Sequence, residues 1–174
     1  RIYRASRPNA FSGFGAGAIV PELVPPDAGS YDLSPFISSD GTTLFFASTR
    51  RAVVPDFDLY QARMLDGGVF EAPTLLANVN DTPARDETPV LSPDLLTLYF
   101  ASWRLNSVTG NMDIFVAKRG AQSDPFGAPA LVTELSTPSY EAPGWVSPDG
   151  CRLYFMSNRV GGTGNIDLWI AAKP

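Results

Sequence analysis

Three sets of ionisable residues recur along the chain at nearly constant spacing. Acids stand at Asp32, Asp86 and Glu141, arginines at Arg50, Arg104 and Arg159, and a second row of acids at Asp58, Asp113 and Asp167. An arginine presents a planar fork of donors that can grip two carboxylates at once. The plain reading is therefore a structural ion network, with one Arg between two acids in every unit. A sharper reading gathers Asp32, Asp86 and Glu141 into a ring of oxygen ligands, for which Ca²⁺ is the suited cation. Where the arginines already neutralise these acids no such site remains, so the metal is left unassigned. Tyr31, Trp103, Tyr140 and Trp145 fall near the first row of acids and vary between repeats. With those acids they form the candidate ligand face, where exposed rings would stack on a sugar or receive a peptide. Packing between units is the competing use for the same rings.

Catalysis finds little to work with. There is no His, which removes Ser-His-Asp and Cys-His arrangements and the commonest metal ligand. Gly161-Gly162-Thr163-Gly164 lies in a link between strands and not before a helix, so it does not read as a phosphate loop. The carboxylate pairs Asp56/Asp58 and Asp86/Glu87 are of the kind that cleaves glycosides. Neighbouring acids are also ordinary on an acidic surface. No catalytic residue is assigned, and the chain is expected not to be an enzyme. The net charge of -5 argues against a nucleic-acid partner, which needs clustered Lys and Arg. No apolar run approaches the roughly 18 residues of a membrane span. The single Cys151 cannot form an internal disulfide, so the redox compartment is unreadable. The chain starts at Arg1 without an apolar leader, and is expected to be processed, cut or partly represented.

The elements that position these residues follow from a recurrence of roughly 55 residues. Ser147-Pro148-Asp149-Gly150 leads into Leu153-Tyr154-Phe155-Met156-Ser157-Asn158-Arg159 and then Asp167-Leu168-Trp169. Ser92-Pro93-Asp94 leads into Leu98-Tyr99-Phe100-Ala101-Ser102-Trp103-Arg104 and then Asp113-Ile114-Phe115. Ser39-Asp40-Gly41 leads into Leu44-Phe45-Phe46-Ala47-Ser48-Thr49-Arg50 and then Asp58-Leu59-Tyr60. Pro pre-sets a turn, Asp bonds its own backbone and Gly accepts positive φ. Turn chemistry thus accounts for Asp40, Asp94 and Asp149. Leu95 replaces the Gly in the middle copy, so that turn is expected to differ. The 16 Pro and 15 Gly spread along the chain favour a meander of strands over helices.

First strands are expected at Pro35–Ile37, Pro89–Leu91 and Gly144–Val146. Fourth strands are expected at Ala18–Val24, Thr74–Val79 and Ala130–Leu135, each opened by a Phe (Phe14, Phe70, Phe126) two or three residues before an Ala or Pro. The second strands are apolar on both faces, with Leu44, Phe46 and Ser48 pointing one way and Phe45 and Ala47 the other. A half-wet antiparallel strand would alternate apolar and polar instead. Both faces are therefore covered, as in small sheets stacked around an axis. The loops Arg51–Pro55 and Leu105–Asn111 differ between copies, and variable loops on a repeated frame are where binding specificity sits.

Ser-Pro-Asp-Gly, an aromatic strand ending Ser-x-Arg, and Asp-Ile/Leu-aromatic together resemble the WD-like repeats of TolB-type β-propellers. They are also similar to propellers attached to prolyl-peptidase-type enzymes and to bacterial envelope proteins. The resemblance spans nearly the whole chain. It implies an all-β fold of four-stranded antiparallel blades: the end of one blade at 1–30, blades at 31–85 and 86–139, and a blade lacking its last strand at 140–174. About three repeats fall short of a closed ring of four to eight blades. The chain is therefore part of a larger propeller, or copies join through open blade edges. What the resemblance implies for function is a non-catalytic module for a protein or peptide partner in the periplasm or cell envelope. A carbohydrate-binding or glycoside-active propeller, or the accessory propeller of a peptidase, are the alternatives. Propellers carry many unrelated functions.

Overall fold

The computed structural model describes residues 1–51, 56–81, 83–104 and 111–172. Among the described residues there are thirteen strands and one short 3-10 turn at Pro21–Leu23. In each repeat a Ser-x-Asp turn joins the first strand to the second. The Ser38 hydroxyl donates to Asp40 Oδ1 (2.6 Å) and accepts from the Thr43 amide (2.9 Å), while Asp40 Oδ1 also accepts from the Thr42 amide (3.0 Å). Ser92 with Asp94 and Ser147 with Asp149 repeat this pattern. The middle turn does not differ as expected. Leu95 takes the same left-handed φ (64°) as Gly41 (73°) and Gly150 (68°), and its amide bonds the Ser92 carbonyl as the glycines bond theirs. Its side chain is buried in the core between sheets, which holds a non-glycine residue in a strained conformation.

Three meanders follow from these turns. Strands β3 (Asp32–Ile37), β4 (Thr43–Ser48), β5 (Asp58–Arg63) and β6 (Thr74–Leu75) form one antiparallel sheet in chain order. Strands β7 (Asp86–Leu91), β8 (Thr97–Ser102), β9 (Asp113–Lys118) and β10 (Ala130–Leu131) form the second. Strands β11 (Glu141–Val146), β12 (Arg152–Ser157) and β13 (Asp167–Ala172) form the third, and β1 (Tyr3–Arg4) with β2 (Ala18–Ile19) a two-stranded leading half-unit. The first strands of successive sheets lie beside one another, β3 against β7 and β7 against β11. This is the arrangement of blades about an axis, and the fold is a β-propeller arc.

The two faces of each second strand divide as their pattern requires. Phe45 and Ala47 join Leu91, Leu98, Phe100 and Phe115 in the core between the first and second blades. Leu44 and Phe46 face the leading half-unit, packing with Ile2, Val20 and Leu23. Between the second and third blades, Val90 and Ile114 meet Val146, Leu153 and Phe155.

Two boundaries depart from expectation. The acids Asp32, Asp86 and Glu141 are the first residues of β3, β7 and β11, not the ends of the preceding connections. The fourth strands have only two residues, because the chain turns just after them: the amides of Leu23, Val79 and Leu135 bond the carbonyls of Val20, Leu76 and Val132. In the first blade the Asn80 amide group takes over the bonding of the missing strand. It accepts from the Leu59 amide (2.6 Å) and donates to the Leu59 carbonyl (3.0 Å).

Candidate functional site

A repeated lock lies at the end of the blades opposite the Ser-x-Asp turns. Ser48, Ser102 and Ser157 close the second strands and pair across to the acids of the first, Asp32↔Ser48, Asp86↔Ser102 and Glu141↔Ser157. Two residues later the arginine folds back over this rung. Its Nη2 donates to the acid at 2.8 Å for Arg50–Asp32 and 2.7 Å for Arg104–Asp86, and Arg159 Nη2 forms an ion pair with Glu141 at 3.2 Å. The Nε donates to the Ser hydroxyl, at 2.9, 2.9 and 3.1 Å. The same Nη2 reaches the carbonyls of Leu23, Val79 and Leu135, at 3.0, 2.8 and 2.7 Å. These are the turns that cut the fourth strands short, so each arginine ties a blade to the unit before it. The guanidinium also rests on two rings of its own blade: Phe46 and Tyr60, Phe100 and Phe115, Phe155 and Trp169. The aromatic strand, Ser-x-Arg and Asp-x-aromatic motifs thus form a single device.

That geometry changes the expected partners. The arginine fork holds one carboxylate, one hydroxyl and one carbonyl, not two carboxylates. Asp58 is instead gripped by Arg51 (3.0 and 3.3 Å), Asp113 accepts from the Ser136 hydroxyl (2.6 Å), and Asp167 accepts from the Gly164 amide (3.1 Å). Asp32, Asp86 and Glu141 are buried beneath the arginines, each ion-paired to the arginine of its own blade. Among the described residues, no three His, Cys, Asp or Glu side chains are grouped so as to hold a metal ion. Burial raises the Asp86 carboxyl above its usual range, with Arg104 pulling the other way.

One rung beyond the lock the residues are not repeated. Tyr31 faces Thr49, Arg85 faces Trp103, and Tyr140 faces Asn158. They are joined by the Tyr31 amide to Thr49 Oγ1 (3.0 Å), the Trp103 amide to the Arg85 carbonyl (3.1 Å) and the Tyr140 amide to Asn158 Oδ1 (2.8 Å). Tyr31 and Trp103 are exposed, and Tyr140 is half-buried against Ala101, Met112 and Ala142. Arg85 donates through Nε to Glu87, and its guanidinium lies over the rings of Phe57 (4.7 Å) and Trp103 (5.9 Å). The Tyr140 hydroxyl is pushed up by burial and by the nearby Glu87 charge, against the pull of Arg85, which brings all three into one cluster. Arg85, Thr49 and Asn158 were not expected in this face. The signal for them is comparison of equivalent positions, where one column reads Tyr, Arg, Tyr and the next Thr, Trp, Asn.

Trp145 does not belong to this end. It pairs with Tyr154 one step from the Ser-x-Asp turn and packs on its ring (5.3 Å). A first strand runs the full length of the blade, so four residues after Glu141 the chain has crossed to the other end. The carboxylate pairs are also divided among partners. Asp86 is with Arg104 and Glu87 with Arg85, while Asp58 is with Arg51. Asp56 is pushed up to about 6, chiefly by burial and then by repulsion from Asp58 and Asp86. Of the loops expected to vary, 52–55 and 105–110 lie outside the described residues.

No protein-family model matches the chain, and no curated protein matches its sequence. Solved structures do. A protein described as TolB from Agrobacterium tumefaciens aligns over 91% of this chain and 49% of its own, with a TM-score of 0.56 and 21% identity. A prolyl endopeptidase, from a study of inter-domain dynamics in catalysis and specificity, aligns over 91% of this chain and 23% of its own, with a TM-score of 0.52 and 16% identity. The chain thus spans about half the length of the first and about a quarter of the second. The likeness is one of fold, a TolB-like propeller.

Proposed function

We propose that this chain is a non-catalytic propeller module that binds a protein or peptide at the acid-bearing end of its blades, in the bacterial cell envelope. The observation that carries this reading is the unrepeated rung above a repeated lock. Fold maintenance needs the same residues in each blade, whereas recognition needs a set used once. The second blade supplies that set. Glu87 takes only the Nε donor of Arg85 and orients the rest of its five-donor fork. The exposed Trp103 ring offers a flat apolar surface beside it. Such a pair suits a peptide, whose carbonyls accept from the fork while a side chain stacks on the indole. The envelope location is supported by the likeness to TolB alone.

Binding to a peptide array and to a glycan array, measured on the same preparation, tests the reading. Peptide binding is expected, with Trp103→Ala weakening it about tenfold or more while the melting temperature barely moves. Glycan binding without peptide binding, or binding indifferent to Trp103→Ala, overturns it. A second reading, the accessory propeller of a peptidase, is favoured by the prolyl endopeptidase likeness. It predicts a hydrolase domain in the same reading frame.

A further inference from the structure

Between the first and second blades lies a cavity of about 480 Å³, beside the Ser-x-Asp turns and so at the end opposite the lock. Both of its walls belong to complete four-stranded sheets. Gln61 and Thr74 stand on the wall of the first blade, in register with Phe45. The second blade has Val116 and Ala130 in these places, the pair Val116↔Ala130 answering to Gln61↔Thr74. Arg119 stands on the facing wall. Its amide bonds the Leu96 carbonyl as the Met64 amide bonds that of Thr42, so Met64 is its counterpart in the first blade. Met64 packs into the apolar contact with the leading half-unit. This junction is thus polar at three places that hold apolar residues elsewhere in the repeat.

Arg119 is half-buried and fixed at two points. Its Nε donates to the Leu95 carbonyl (2.8 Å), and its guanidinium lies on the Phe126 ring (4.4 Å). Among the described residues its two Nη groups have no hydrogen-bond partner. Burial loosens its hold on its proton, and Asp124 is the charge that opposes this. A solvated rim explains exposed charges such as Arg63 and Glu71, which also line the cavity, but not a clamped fork with donors to spare. Such an Nη pair matches the two oxygens of a carboxylate. Two acids of the cavity are taken up in turns, Asp40 by Ser38 and Thr42, and Asp124 by the Ala121 amide (3.0 Å). Glu71 is left for an ammonium or hydroxyl group.

We infer that this cavity is a second binding site, for a small polar carboxylate such as an acidic sugar or an amino acid. The carboxylate sits on the Nη pair of Arg119, while Gln61, Thr74 and Glu71 meet the hydroxyl or ammonium groups of the ligand. The site is separate from the peptide face, which lies at the other end of the blades.

Titration of the isotope-labelled chain with D-glucuronate, L-alanine and D-glucose, followed by amide chemical shifts, tests this. Saturable shifts centred on Gln61, Thr74 and Arg119 are expected with glucuronate or alanine and not with glucose. Glucuronate alone identifies an acidic sugar, and alanine alone an amino acid. Arg119→Met puts the first blade's residue in the second and is expected to weaken binding about tenfold or more. Gln61→Val makes the reverse exchange and is expected to weaken it about threefold or more without touching the contacts that hold Arg119. Absence of shifts with both carboxylates, equal shifts with glucose, or binding unchanged by Arg119→Met overturns the inference.

Discussion

At the scale of single residues, Arg104 shows why the repeated polar columns concern folding before function. Asp86 is fully buried, and its carboxylate depends on Arg104, the Ser102 rung and the Asp81 amide. Removing one partner of a buried pair leaves a charge without compensation, which costs about 3–5 kcal/mol. Arg104→Ala is therefore expected to lower the unfolding free energy by about that amount, read as a lower urea midpoint. Arg104→Lys recovers only part of the loss, since an ammonium cannot span carboxylate, hydroxyl and carbonyl in one plane. Equal midpoints for Ala and wild type in urea would remove the lock. Leu95 poses the opposite question, because strain and burial compete there. Gly would relieve a left-handed φ that costs roughly 1–2 kcal/mol, but loss of a buried Leu side chain costs about 2–5 kcal/mol. Burial wins, and Leu95→Gly is expected to destabilise by about 1–3 kcal/mol by the same assay.

At the scale of elements, the first strands carry the strain. A bulge interrupts the pairing of β3 with β4 and of β7 with β8, and in each a non-glycine residue takes positive φ: Ser34 at 50° and Thr88 at 49°. The third blade bulges too, but with Pro143-Gly144 in that place and no positive φ. Thr88 is β-branched, and its hydroxyl is buried with no hydrogen-bond partner. Thr88→Gly is expected to stabilise the chain by about 1 kcal/mol, since relief of the strain and of the orphan hydroxyl outweighs the added freedom of the unfolded glycine; a lowered melting temperature would show that the bulge holds Thr88 by some other contact. The sequence made the period, the turns and the two-faced second strands legible, because each is written in local residue types. It did not show that the fourth strands stop after two residues. That depends on carbonyls turning to meet an arginine of the next blade, and on Asn80 standing in for a strand. Nor did it separate Trp145 from Tyr31 and Trp103, because proximity in sequence to an acid does not reveal which end of a six-residue strand a ring occupies.

At the scale of the whole molecule, the junction of the first and second blades concentrates negative charge. The amide of Asp86 bonds the Phe57 carbonyl, which brings Asp56 and Asp58 beside the start of β7. All three carboxyls are raised, with burial as the leading cause, and Asp56 reaches about 6. A carboxyl that binds its proton more tightly folded than unfolded favours the folded state at low pH. That advantage is complete below the ordinary carboxylate value near 4 and is lost as pH rises through about 6. The chain should therefore lose stability between about pH 4 and pH 6.5, the reverse of what salt-bridged acids with lowered values would give. Asp40 and Asp149 do have lowered values, set by the Ser38 and Ser147 hydroxyls, but they act only below the ordinary carboxylate range, in a separate window. Asp56→Asn isolates the junction. It is expected to raise the melting temperature at pH 7.5 by about 2–6 °C, to leave it nearly unchanged at pH 4, and to flatten the slope between. A parallel shift at every pH would assign the effect to packing at Asp56, and the charge crowded between the two blades would not be what limits their stability.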